Sequence, residues 1–275
     1  MTKKSDTFIK RRTDPTRNIA LIVLPRISNE SASNCFINAF IQLFRHTNIF
    51  QNFSIARKSN IYRLMIRLNN GENLNSVYID NARKEWIMRF SLKGQEDVAE
   101  FIQYILNNIV EKFKGDDSNL LPFLNAYKYQ IKTQYICHSF EQSFEKIDGD
   151  FLFTIPTSYN NLKDNFESLF NGNVEKKCEN CSKNKYNLTK IISIEPEYLI
   201  FQIMRFSYDE LFQCTRKNSI QIDIPNVFQS EYLTNEYKLY GIIYHIGDSP
   251  ENGHYLAKRQ RSDGTETYDD SRYYF

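Results

Sequence analysis

Residues 253–272 read GHYLAKRQRSDGTETYDDSR, and the fold can be worked out from this stretch. Two strand-length runs, Tyr255 to Arg259 and Thr265 to Tyr268, flank SDGT, a turn signal that folds them into a hairpin. The hairpin returns Asp269 to the neighbourhood of His254. A carboxylate there fixes the tautomer of an imidazole and stabilises its protonated form. The preceding DSPENG is a polar loop that delivers His254 to the first residues of a strand, a rigid mount for a general base.

Working outward, YKYQIKTQYI, FLFTIPT, LTKIISI, YLIFQIMRF, SIQIDIP and YKLYGIIYHI lie upstream, from about Tyr127. They are rich in β-branched and aromatic residues and predict strands, with one short helix over NLKDNFESLF. From Cys35 to about Phe113 the period changes. FINAFIQLFRH, IYRLMIRLN and DVAEFIQYILNNIVEKF carry apolar residues at three- and four-residue intervals, the signature of amphipathic helices. Helices first and strands afterwards predict an α+β architecture, a helical lobe packed on an antiparallel sheet, with a cleft between the two. No internal repeat appears, and no glycine-rich phosphate loop opens a helix, which disfavours solenoids and nucleotide chemistry.

Charge narrows the function classes further. With 35 basic against 33 acidic residues, net +2, the chain carries no electrostatic footprint for nucleic acid or a membrane surface. The longest apolar run near the start, Ile19 to Leu24, is too short for a bilayer span or a signal peptide. Residues 1–18, polar and basic, are expected to be a flexible segment ahead of a single domain over 19–275. Five cysteines, an odd number without regular spacing, argue against a disulfide framework and for a reducing, intracellular setting, cytoplasmic and/or nuclear.

In such a setting a cysteine serves as nucleophile, metal ligand or small buried group. Cys35 opens an apolar helical run, where Ser33 or Asn34 can cap the helix and the unpaired amides of the first turn favour a thiolate. Taken alone, Cys35 is also readable as a small core residue. A base elsewhere is what gives it a chemical reading, and among only four histidines His254 has the mount and the partner.

Together these segments resemble the ubiquitin-specific protease family of deubiquitinating cysteine peptidases. SNCFINAFIQLF is similar to the family's Cys box at Cys35, Asn38 and Gln42. LKGQEDVAEFIQYIL is similar to its QQDAxEFL helix at Gln95, Asp97, Glu100 and Phe101. EPEYLIFQIMRF resembles the LPxxLxxxLxRF strand, YKLYGIIYHIGDSPENGHYLA the segment ending in the His box, and TYDDS the Asp box, all in the family's order. The resemblance implies a papain-like fold: a helical thumb (about 19–125), reduced fingers with part of the palm (about 126–195) and an antiparallel palm sheet with the His and Asp boxes (about 196–275). It implies a catalytic triad of Cys35, His254 and Asp269, with Asp270 as the other candidate to orient the imidazole. Asp97 and Glu100 would hold the basic tail of ubiquitin, and His245 and Tyr255 would flank a channel for its Gly-Gly end. Ubiquitin or ubiquitinated proteins are the implied partners, with no nucleic acid and no membrane.

Two departures from the family pattern bear on function. The oxyanion-stabilising Asn expected five residues before the nucleophile is Glu30 here, and the nearest amide, Asn29, lies one residue earlier. Cys178 and Cys181 form one zinc knuckle, but only Cys137 stands where the second would be. Catalysis needs no cofactor; a structural zinc and a metal-free finger both remain open. Two alternatives to the peptidase reading are a silent ubiquitin-binding scaffold of the same fold and a peptidase for another ubiquitin-like modifier.

Overall fold

The computed structural model describes residues 6–12, 26–29, 33–47, 50, 59–86, 88–91, 94, 96–137, 143–170, 186–211, 213–249, 252–270 and 272–274. A strand β1 (Asp6–Arg12) comes first, followed by the helices α1 (Cys35–Phe44), α2 (Asn60–Asn69), α3 (Ser76–Arg83), α4 (Val98–Lys112) and α5 (Asp117–Tyr127). Then follow β2 (Tyr129–Cys137), β3 (Ser143–Asp150), β4 (Leu152–Ile155), α6 (Leu162–Glu167), β5 (Tyr186–Ile194) and β6 (Tyr198–Ile203). A hairpin of β7 (Phe206–Asp209) and β8 (Cys214–Lys217) leads to β9 (Val227–Phe228), β10 (Tyr237–Ile246), β11 (His254–Arg261), β12 (Gly264–Asp269) and β13 (Arg272–Tyr274).

The main sheet runs in the order β13-β12-β11-β10-β1-β6-β4, with β9 added at the start of β10, while β3-β2-β5 form a separate three-stranded sheet. Both faces of the main sheet are covered, and β6 shows how. Tyr198 and Ile200 enter the core shared with the helices; Leu199, Phe201 and Ile203, one step out of phase, enter a second core with Leu162 and Phe166 of α6. A strand buried on both faces reads as a continuous apolar run, as YLIF does.

All ten residues of α1 are buried, so this helix lies inside the core instead of on its surface. Phe101 of α4 anchors it. The Phe101 ring meets Phe36 at 5.2 Å and Phe40 at 5.4 Å, edge to face, and packs on Trp86 at 5.3 Å. Truncating such a buried ring costs about 3–5 kcal/mol, so the helix that begins with Cys35 is firmly held.

Three expectations need correction, and one element was missed. Residues 6–12, expected within a flexible basic segment, form β1 between β10 and β6, pairing with both. Two facing sheet edges otherwise left unpaired supply the pairing, which the polar composition of the segment does not reveal. SIQIDIP, expected as a strand, makes one isolated bridge, Asp223 with Asn161, and buries Ile222 in the second core. Its alternation reports one buried face, which an irregular segment can supply as well. The sheet is not wholly antiparallel, because β4 lies parallel to β6. The β7-β8 hairpin was not anticipated, since FSYD and CTRK are too short and polar to read as strands. Among the described residues, no helix is long and apolar enough to cross a membrane.

Candidate active site

Cys35 is the first residue of α1 and is fully buried. Asn34 holds the N-cap position, yet its side chain makes no capping bond, contrary to the expectation. Its carboxamide is taken by α3 instead: Nδ2 donates to Asp80 Oδ1 at 2.7 Å, and Oδ1 accepts from Arg83 Nη1 at 2.8 Å. Cys35 therefore sits at a positive helix end whose entry is held by side chains from a neighbouring helix.

The hairpin forms as its turn signal predicts, with Ala257 opposite Tyr268, Gln260 opposite Thr265 and Arg261 opposite Gly264. The first residue of β11 and the last of β12 thus meet, and His254 Nε2 donates to Asp269 Oδ1 at 2.6 Å. A hydrogen bond to Cys35 raises His254 to about 9; burial opposes this shift and Asp269 adds to it. Three residues from two distant parts of the chain thereby form one connected cluster, thiol to imidazole to carboxylate.

Successive strand residues normally point to opposite faces, yet both Asp269 and Asp270 face the imidazole. The backbone explains this, because Asp270 has φ +48°, in the left-handed region that Asp and Asn tolerate best among side-chain-bearing residues. Asp270 Oδ2 lies 3.9 Å from His254 Nδ1 and accepts from Asn29 Nδ2 at 2.9 Å, while Oδ1 accepts from Asn38 Nδ2 at 2.8 Å. Asn29 in turn accepts the Asn34 amide at 3.0 Å. The Asn29 amide that was a candidate oxyanion donor is thus engaged by Asp270, and Asp270 ties the entry loop, α1 and the hairpin together. The spacing of Asn38, one turn after Cys35, was a usable signal for this role. Glu30 lies outside the described residues.

His245 and Tyr255, expected beside the channel, are cross-strand neighbours with ring centroids 4.8 Å apart, and both are buried. Lys217 of β8, which sequence reasoning did not single out, donates to the carbonyls of His245 at 3.0 Å and Gly247 at 2.8 Å, and lies 3.3 Å from His245 Nδ1. Burial lowers His245 to about 4, with Lys217 and His254 acting in the same direction, so this imidazole is neutral near pH 7. Gly253 is explained by the same packing: a Cβ there would stand 2.1 Å from His245 Nε2.

Asp97 and Glu100, expected to hold a basic tail, stand at the start of α4. Asp97 caps α4, its Oδ1 accepting the Glu100 amide at 2.8 Å, and the Glu100 carboxylate pairs with Arg89 at an exposed site. Of the three cysteines expected as metal ligands, Cys137 ends β2 opposite Tyr186, and Cys178 and Cys181 lie outside the described residues. Among the described residues, His254, Asp269 and Asp270 are the one group with metal-ligand spacing. Its carboxylates already accept N–H donors from His254, Asn29 and Asn38.

Comparison with known proteins finds relatives in sequence and in fold. The family model described as ubiquitin carboxyl-terminal hydrolase matches residues 27–274. Ubiquitin carboxyl-terminal hydrolase 25 of Arabidopsis thaliana is 30% identical over 206 residues, covering 65% of this chain and 30% of that protein. Ubiquitin carboxyl-terminal hydrolase 48 of Danio rerio is 24% identical over 272 residues, covering 82% of this chain and 24% of that protein. The chain thus spans less than a third of the length of these curated relatives. Among solved structures, the SAGA Ubp8/Sgf11/Sus1/Sgf73 DUB module bound to ubiquitin aldehyde superposes with a TM-score of 0.77 at 18% identity, over 94% of this chain and 68% of that one. A second structure of the SAGA DUB module, bound to monoubiquitin, gives 0.76 at 19% identity, over 94% and 67%. These structural matches share the fold.

Proposed function

Because the chain belongs to the ubiquitin carboxyl-terminal hydrolase family, we propose that it is a thiol peptidase that cleaves the peptide or isopeptide bond after the C-terminal glycine of ubiquitin. The observation that carries this reading is the cluster at the start of α1, where His254 is hydrogen-bonded to Cys35 and Nε2 of the same ring to Asp269 at 2.6 Å.

The chemistry follows from the parts. With His254 held above its ordinary value by its bond to Cys35, an imidazolium stands ready beside the nucleophile. The Cys35 thiolate adds to the glycine carbonyl carbon, and the carbonyl electrons move onto oxygen. First-turn amides of α1 are donors suited to that oxyanion, since the Asn29 carboxamide is engaged by Asp270. Collapse expels the amine, which takes the imidazolium proton, and leaves an acyl thioester. His254, now neutral, accepts a proton from water as that water attacks; the acid is released and Cys35 returns as thiolate. Asp269 keeps the ring oriented in both halves.

Turnover of ubiquitin carrying a fluorogenic amine on its C-terminal glycine tests the proposal. The unsubstituted chain should release fluorophore and Cys35→Ala should not. A folded protein with no turnover would favour a silent ubiquitin-binding scaffold.

A further inference from the structure

A positive charge stands behind the proposed nucleophile, on a helix that the reaction as written does not use. Arg83 ends α3, is fully buried, and directs its guanidinium at the two residues before Cys35. Nη1 donates to the Ser33 carbonyl at 2.9 Å, to Ser33 Oγ at 3.2 Å and to Asn34 Oδ1 at 2.8 Å; Nη2 donates to the Gly94 carbonyl at 2.7 Å. The guanidinium carbon also lies 5.2 Å from the ring centre of Phe36, the residue after Cys35. One turn earlier on α3, Asp80 accepts the other end of the Asn34 carboxamide. Residues on both sides of Cys35 are therefore held by one side chain.

Resting on the thiol-peptidase reading, we propose that Arg83 is a positioning residue for Cys35: it locks the loop that enters α1 and supplies a permanent cation toward the charge that the thiolate carries. The loop needs such a lock, because Asn34 at the N-cap position makes no capping bond of its own. A guanidinium suits the task because its planar fork meets several acceptors at once and keeps its charge when buried. Among the described residues all four of its bonds go to neutral oxygens, so its charge needs a counter-charge to repay desolvation. The charged groups in reach are Asp80 on its own helix, Glu96 ahead of α4, and Cys35, and all three oppose the lowering that burial imposes on Arg83. Cys35 is also faced by His254, whose ring in turn lies against Asp269 and Asp270.

Iodoacetamide alkylation of Cys35, followed by peptide mass spectrometry over a pH series, reads this role without ubiquitin. In Arg83→Met the midpoint of the rate profile should rise by about one pH unit, with a roughly tenfold slower rate on its acid side. Arg83→Lys keeps the charge and loses the fork, so its profile should stay close to the parent while kcat/KM for the ubiquitin amide falls about tenfold. A folded Arg83→Met with the parent profile would overturn the charge role. If that variant does not fold, Arg83→Lys decides: parent kcat/KM would overturn the positioning role. Turnover that survives Cys35→Ala would instead sink the peptidase reading and leave the alkylation result standing.

Discussion

Replacing Gly253 with alanine adds one methyl group beside the proposed base, and the structure says where it must go. The new carbon would stand 2.1 Å from His245 Nε2, 2.6 Å from His245 Cε1 and 2.6 Å from the Ile246 carbonyl oxygen. None of these can retreat easily. His245 is packed between the rings of Tyr255 at 4.8 Å and Phe206 at 5.7 Å, and Lys217 lies against its Nδ1; the carbonyl belongs to β10. The strain therefore falls on the backbone that carries His254. Overpacking of this kind costs up to about 3 kcal/mol, which corresponds to a Tm lowered by roughly 6–12 °C for a domain of this size class. A displacement of the base by about 1 Å lowers the rate by about 10²-fold. Thermal unfolding and kcat/KM on a ubiquitin C-terminal amide measure the two effects. Adding His245→Ala should restore part of the stability, because it removes the closest clash and leaves the carbonyl. Gly253→Ala with parent Tm and parent kcat/KM would refute the reasoning.

Three further outcomes are expected. Glu266 is fully buried and accepts from Arg261 Nη1 at 2.6 Å, Arg259 Nη1 at 3.5 Å and the Tyr268 hydroxyl at 2.5 Å, so Glu266→Gln removes the counter-charge of two half-buried cations. With both arginines partly reached by water, the cost should sit at the low end of the range for breaking a buried pair, about 3 kcal/mol by urea unfolding. Asp269→Asn should lower kcat/KM by about 10³–10⁴-fold through the wrong tautomer, and Asp270→Asn by about 10²-fold through a displaced loop; the reverse ranking would exchange their roles. His254 is raised from 6.5 to about 9. Its contribution to stability should be complete below about pH 6.5 and fade as pH rises through about 9. Because the bond to Cys35 is the largest cause, Cys35→Ala should flatten that decline in denaturant titrations across the window, and parallel curves would contradict the assignment.

Much of this architecture was legible because its signals are local. Strand β10 coincides with YKLYGIIYHI, and the β11-β12 hairpin follows from SDGT, since turn chemistry and alternation specify pairing without reference to the rest of the chain. Strand β1 was not legible. Its place depends on two open edges formed by strands from the far part of the chain, and nothing within DTFIKRR announces them. The site divides in the same way. Cys35, His254 and Asp269 stand in recognisable segments, whereas the hold of Arg83 on Ser33 and Asn34 and the hold of Lys217 on the loop before His254 are tertiary contacts between unremarkable surface-type residues. Asp97 and Glu100 carry contacts that sequence did not announce, a helix cap and an exposed ion pair, since both leave the same acidic trace as a binding pair.

The central claim is that Cys35, activated by His254, attacks the carbonyl of ubiquitin's terminal glycine. Incubation with ubiquitin bearing a C-terminal electrophile, followed by intact-mass and peptide mass spectrometry, tests it most directly. The account predicts one covalent adduct, located on Cys35, absent in Cys35→Ala and formed far more slowly in His254→Ala. A folded parent protein that forms no adduct, or an adduct on any other cysteine, would contradict it.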